Sequence, residues 1–220
     1  MVSRRKDVLV SGEVYHVFSK SIAGFKIFNN AEEYSRMIKT FKYYQKEKIN
    51  LRYSVYIKNL EEKKLDKSLM EKQENIVEII AYCLMPTHFH FVLKQIKNNG
   101  ISNIIANTLN SYTRYFNNKY KRKGPLWQSR FKNILVKNEE QLLHLTRYLH
   151  LNPVTSYLVD KPEDWQESSY LEYVNESEDN EKICKYEDVL IITKKEYKKF
   201  VNQRSSYQRS LKKIKDLIME

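Results

Sequence analysis

The segment IVEIIAYCLMPTHFHFVLK, residues 76–94, constrains this chain more than any other. Two apolar runs rich in β-branched and aromatic residues flank Met85-Pro86-Thr87. The segment is too apolar for a surface loop, and Pro86 interrupts any continuous helix. The pattern predicts a β-hairpin at the centre of a sheet.

The elements around it follow from periodicity. Residues 13–20 alternate as a strand. Residues 31–47 repeat Tyr34, Ile38, Phe41 and Gln45 at helical spacing, with Asn29 or Asn30 as the cap. LRYSVYI, residues 51–57, reads as a strand or strand-like extension. Ile101, Ile104, Ile105, Leu109, Tyr112 and Phe116 form the apolar stripe of a helix over 101–120. Residues 131–137 predict a strand. Asn138 with Gln141 forms a capping box that opens a helix over 139–152, and Pro153 is expected to end it. Strand, helix, strand, strand, helix, strand, helix is an α+β order, with helices covering an antiparallel sheet.

Charge divides the chain further. Residues 61–74 carry nine charges of both signs, which predicts a solvated helix or a mobile insertion, placed at about 58–75. Residues 172–188 hold seven acids against two bases, and residues 194–220 hold nine bases against three acids. This marks 174–220 as an acidic-then-basic extension with a helical basic end, after a main domain over 1–173. The whole chain has 39 Lys and Arg against 27 Asp and Glu, a net charge of +12 in 220 residues. An excess of this size favours a polyanionic partner, nucleic acid first. The two cysteines, Cys83 and Cys184, make no disulfide framework. The longest apolar run, Ile79 to Met85, is far short of the ~20 residues of a membrane span. Nothing near the start reads as a signal-peptide core, so the expectation is a soluble cytoplasmic protein with no membrane partner.

Three clusters carry chemistry. His88 and His90 lie two apart on a predicted strand, so both rings share a face while Phe89 and Phe91 take the other. Two imidazoles on one face begin a divalent metal site, or are two surface histidines. Tyr148 and Asn152, four apart on the 139–152 helix, share a face with His144. That face presents a phenol and an amide together, or packs an aromatic. Residues 110–138 hold eight Lys or Arg and no acid, interleaved with Tyr112, Tyr115, Phe116, Tyr120, Trp127 and Phe131. Cations neutralise phosphates and aromatic faces stack on unpaired bases, which suits single-stranded nucleic acid.

Together these blocks resemble the single-tyrosine HUH transposases (IS200-like), and within them the REP-associated tyrosine transposases. The resemblance spans roughly residues 10–173. It rests on YHVFSKS (15–21), AYCLMPTHFHFVL (81–93), SYTRYFNNKYKRKGPLWQSRFK (111–132), RYLHLNPV (147–154) and PEDWQESSY (162–170). It implies the HUH endonuclease fold, a ferredoxin-like or RRM-like antiparallel sheet covered by helices. It implies that His88 and His90 bind Mg²⁺ or Mn²⁺. It implies that Tyr148, just before His150-Leu151-Asn152-Pro153, is the catalytic nucleophile. The position of a third, polar metal ligand holds Asn152, where the insertion-sequence branch typically has Gln. His144 would orient the phenol or stand exposed.

The activity so implied is metal-dependent cleavage and strand transfer of single-stranded or hairpin DNA through a 5′-phosphotyrosine. The basic stretch supplies the grip: Arg114, Lys119, Lys121, Arg122, Lys123 and Arg130 on phosphates, with Tyr115, Trp127 and Gln128 beside them and Trp127 as a stacking platform. Tyr112 falls on the apolar stripe and is expected in the core. A hairpin-binding protein that does not cut, and a phosphodiesterase that uses water, are the competing readings. The family includes both monomers and homodimers.

Overall fold

A computed structural model of the chain describes residues 7–66, 68, 70, 72–175 and 182–203. The elements are β1 (Val14–Lys20), α1 (Ala31–Tyr44), α2 (Tyr53–Glu61), β2 (Val77–Met85), β3 (His88–Gln95), α3 (Gly100–Lys119), β4 (Lys132–Leu135), α4 (Glu139–Thr155) and α5 (Tyr170–Val174). The strands form one sheet in the order β2-β3-β1-β4. β1 pairs antiparallel with β4, Tyr15 opposite Leu135 and Phe18 opposite Lys132. Gln95 N donates to Glu13 O at 3.0 Å and Ser21 N to Thr87 O at 2.8 Å. β1 therefore also runs antiparallel to β3, with Lys20 level with His88. This is the α+β antiparallel architecture the periodicity implies. Among the described residues, no helix is long and apolar enough to cross a membrane.

The chain divides into two compact units. The first comprises residues up to Glu78, Pro86–His88 and Leu93–Leu135. Asn30 caps α1 by accepting from Glu33 N at 3.2 Å, while the Glu33 carboxylate accepts from Asn29 N at 2.8 Å. This reciprocal cap fixes where the helix starts. α1 buries Tyr34, Met37 and Phe41. α3 buries Ile101, Ile104, Ile105, Tyr112 and Phe116, and the two helices pack together. Each such side chain contributes about 1.5–3 kcal/mol on leaving water. Gly100 opens α3 where an added Cβ would collide with the Ile76 carbonyl, so only glycine allows that approach.

Residues 51–57 are not a strand. Tyr53 and Tyr56 lie one helical turn apart in α2, and both rings pack on Tyr43, at 5.3 and 4.5 Å between centroids. That aromatic cluster outweighs the β propensity of the segment. The charged insertion about 58–75 begins as the end of α2. Its Glu74 pairs with Lys97 at 2.8 Å, and residues 67, 69 and 71 lie outside the described residues.

The second unit comprises Ile79–Met85, Phe89–Val92 and residues from Val136 onward. The 76–94 hairpin forms as expected, but β2 is an edge strand rather than a central one. It can be apolar on both faces because later residues cover its edge. Leu84 N donates to Glu167 O at 2.9 Å, Ser169 N to Tyr82 O at 3.0 Å and Lys185 N to Ile79 O at 2.8 Å. Covering an edge in this way removes a site for unwanted strand pairing. α4 runs through Pro153 to Thr155, beyond the expected stop. Proline forfeits only its own N–H bond to the preceding turn, and Ser156 N still donates to Asn152 O at 2.9 Å. Described residues beyond 174 pack within this unit. Cys184, Tyr186, Leu190, Tyr197 and Val201 are buried in this unit, and Tyr186 stacks on Tyr173 at 3.9 Å. Residues 194–203 are helical; the rest of the basic end, 204–220, lies outside the described residues.

Buried histidines give the fold an acid-labile component. His16 on β1 is 9% exposed, and burial lowers its pKa to about 4. In the unfolded chain it titrates near 6.5. Its neutral form is therefore favoured by folding above pH 6.5, and that stability is lost as pH falls toward 4. Each pH unit in that window costs up to about 1.4 kcal/mol. Urea unfolding of His16→Asn should show a flatter pH profile than the parent between 6.5 and 4. Equal slopes would remove His16 as a source of acid lability.

Candidate active site and nucleic-acid interface

β3 delivers the two histidines. Strand alternation sends His88 and His90 to one side, and buries Phe89 and Phe91 on the other. Burial, then the charge of Lys20, lowers the His88 pKa to about 4. His88 is thus neutral at physiological pH. Its Nδ1 lies 3.0 Å from Thr87 Oγ1. Lys20 was not among the residues singled out from the sequence. The signal was present in the register of β1 against β3, which only the fold supplies.

α4 delivers the phenol. Asn138 caps it by accepting from Gln141 N at 2.8 Å, and Glu139 and Glu140 face the positive end of the dipole. Leu142, Thr146, Leu149 and His150 turn inward. Tyr148 lies on the opposite face and is 46% exposed. Its ring meets His90 edge-on, 5.9 Å between centroids. The structure therefore brings together two residues 58 positions apart in sequence. Desolvation, then the Cys83 thiol, raises the Tyr148 pKa above its ordinary value. The phenol is therefore protonated at neutral pH.

Asn152, one turn on from Tyr148, is half-buried, and its Nδ2 is buried with no hydrogen-bond partner among the described residues. Amide nitrogen and oxygen exchange places on a flip, so this orphaned atom marks a position where a carbonyl oxygen could face a cation. Imidazole nitrogens and an amide oxygen are a donor set that suits a divalent ion. No group of three or more His, Cys, Asp or Glu capable of holding a metal occurs among the described residues.

His150 sits between Tyr148 and Asn152 in sequence but points inward and is fully buried. Its Nδ1 is 2.7 Å from the Tyr197 hydroxyl and its Nε2 is 2.8 Å from Ser169 Oγ. Burial lowers its pKa to about 3, so it stays neutral. His144 is exposed; its Nδ1 accepts from Arg147 at 2.7 Å and its ring meets Phe200 at 5.5 Å. Those partners account for its orientation without the phenol.

The basic stretch separates into committed and uncommitted cations. Lys119 is taken by Glu32 and Glu33, at 3.0 and 3.1 Å. Tyr115 donates to Glu32 at 3.1 Å. Arg122 donates to Asn117 at 3.0 Å and to the Pro125 carbonyl at 2.7 Å. Trp127 is half-buried, its indole N–H donating to Thr113 Oγ1 at 3.0 Å. Arg114, Lys121, Lys123, Gln128 and Arg130 are exposed. Tyr112 is in the core as expected, fully buried with its hydroxyl donating to the Ile27 carbonyl. Lys121 and Arg122 line one shallow cavity of about 660 Å³ with Lys26, Phe25, Phe116 and Tyr120.

The chain is similar to known proteins in the same direction. Residues 47–152 match the sequence model of a family described as Transposase IS200 like, and that span holds His88, His90, Tyr148 and Asn152. A curated relative from Haemophilus influenzae, named as a REP-associated tyrosine transposase, is 31% identical over 104 residues. The match covers 42% of this chain, and the chain spans 58% of that relative's length. A solved REP-associated tyrosine transposase, bound to a REP hairpin, shares the fold at a TM-score of 0.52 and 16% identity. That likeness covers 79% of this chain and 86% of the other. Over residues 47–152, then, the chain is similar to the IS200-like transposases, and its fold is similar to that of a solved REP-associated tyrosine transposase.

Proposed function

We propose that this chain cuts and rejoins single-stranded DNA beside a hairpin, with Tyr148 as the nucleophile. The observation that carries the reading is the exposed phenol of Tyr148 set edge-on against His90, the second histidine of the strand motif. The hairpin enters because a solved protein of this fold is bound to one.

The phenol oxygen attacks a backbone phosphorus. A P–O(Tyr148) bond forms, the bond to the 3′-oxygen breaks, and the 5′-phosphate stays on the tyrosine. The proton lost by the phenol balances the proton gained by the departing 3′-oxygen. Attack by a 3′-hydroxyl on the phosphotyrosine reverses these bonds and reseals a strand without an external energy source. Residues of this chain arrange the geometry. α4 aims the phenol outward, and its buried face holds it at a fixed angle. Lys20 places positive charge beside His88, where phosphate oxygens gather negative charge. His88, His90 and Asn152 would hold a Mg²⁺ or Mn²⁺ ion. When bound, such an ion would supply Lewis-acid polarisation of the phosphoryl group.

The test is purified protein with a labelled hairpin carrying single-stranded flanks and Mn²⁺, run on a denaturing gel. A slow covalent band is expected. His90→Ala should lower its rate at least ~100-fold while hairpin binding in a native gel stays within about threefold. Chelation with EDTA should do the same. Covalent product at the parent rate in His90→Ala would overturn the metal role. Tight binding with no covalent band under either ion would favour a protein that holds hairpins without cutting them.

A further inference from the structure

We propose that a groove bounded by α1, α2 and α3 in the first unit is a second docking site, for backbone phosphates of a nucleic-acid strand. The groove has a volume of about 630 Å³. Arg36, Arg52 and Arg114 line it, with Ser54, Asn107 and Asn110 as hydroxyl and amide donors. No carboxylate lines it. Lys119 also reaches it, but Glu32 and Glu33 neutralise that charge. The three arginines form no ion pair among the described residues, so three positive charges stand unmatched around one cavity.

Arg36 is built in rather than trailing in solvent. Its guanidinium lies over the Tyr53 ring at 4.4 Å and the Tyr115 ring at 5.1 Å. Its Nε is buried with no hydrogen-bond partner among the described residues. An arginine clamped between aromatic faces has little rotamer freedom left to lose on binding an anion. The groove also meets the start of α2. Arg52 stands at its N-cap with no capping side-chain bond, and the first turn holds no acid. The positive end of that dipole adds to the arginine field.

A cavity of this size exceeds a single phosphate and takes a nucleotide with its flanking phosphodiesters. The net charge of +12 favours a polyanionic strand over a small anion. The choice of DNA rests on the strand-transfer reading; the phosphate chemistry does not. Sequence patterning could not find this site. Arg36 and Arg52 lie outside the basic stretch, and α2 was expected to be a strand.

The experiment measures affinity for a fluorescein-labelled hairpin oligonucleotide from 50 to 300 mM salt. It compares the parent chain with Arg52→Glu and with Arg36→Gln/Arg52→Gln. Loss of two phosphate contacts should flatten the log–log salt slope by about 1–2 and weaken binding at least ~10-fold at 150 mM. Arg52 is exposed and caps nothing with its side chain, so Arg52→Glu keeps the test valid if the double variant fails to fold. Unchanged slope and affinity in folded variants would overturn the proposal. So would oligonucleotide binding that is unchanged while binding of inorganic phosphate or a mononucleotide is lost, because the occupant would then be a small anion. A parent chain that binds normally and salt-dependently through the groove, yet forms no covalent band, would sink Tyr148 as nucleophile and leave the groove standing.

Discussion

Replacing Tyr148 with phenylalanine should abolish the covalent protein–DNA band, with a loss of at least ~10⁴-fold in its rate of formation. The substitution removes one oxygen and little else. The side chain is 46% exposed, and phenylalanine keeps the edge-on ring contact with His90. Stability should therefore stay within about 0.5 kcal/mol of the parent, and hairpin affinity within about twofold. The phenols of the basic stretch are otherwise engaged. Tyr112 is fully buried with its hydroxyl on the Ile27 carbonyl, and Tyr115 is engaged by Glu32 and Lys119. A covalent band that survives in Tyr148→Phe would move the nucleophile and defeat the assignment. Cleavage that survives without a covalent band would instead identify water as the nucleophile.

How far this site was legible in the sequence depends on distance along the chain. His88 and His90 needed only a strand and its alternation, and both fell inside the most apolar segment. Tyr148 and Asn152 needed only helical spacing after a clear Asn138 cap. The pairing of His90 with Tyr148 needed the fold, since nothing local relates positions 58 apart. The strand order was similarly hidden. β2 reads as a central strand because it is apolar on both faces, and the residues that justify this, 165–169 and 185, come more than 80 positions later. α2 was misread because Tyr, Val and Ile suit a strand, while the deciding partner, Tyr43, lies on another helix. The basic stretch was visible as charge, but charge alone did not separate Arg114 from Lys119. The carboxylates that claim Lys119 come from the start of α1.

His150 lies between the phenol and the amide in the His150-Leu151-Asn152-Pro153 run. Its surroundings favour structure, and the expected result is large. His150→Ala should destabilise the second unit by about 3–4 kcal/mol. The ring fills a space among Tyr170, Tyr173 and Tyr197, at centroid distances of 5.6, 4.9 and 5.7 Å. Its two nitrogens also pair with the Tyr197 and Ser169 hydroxyls. His150→Phe restores most of the volume but neither hydrogen bond. Ser169 keeps its bonds to the Tyr82 backbone, so the phenylalanine variant should cost less, about 1–2 kcal/mol. Urea unfolding followed by Trp165 fluorescence in a Trp127→Phe background reads this unit alone, because Trp165 donates to the Leu84 carbonyl within it. If His150 acts by holding α4, covalent-band formation should track the folded fraction across both variants and recover on cooling the phenylalanine form. A folded His150→Phe that forms no covalent band at any temperature would mean the imidazole takes part in the chemistry itself.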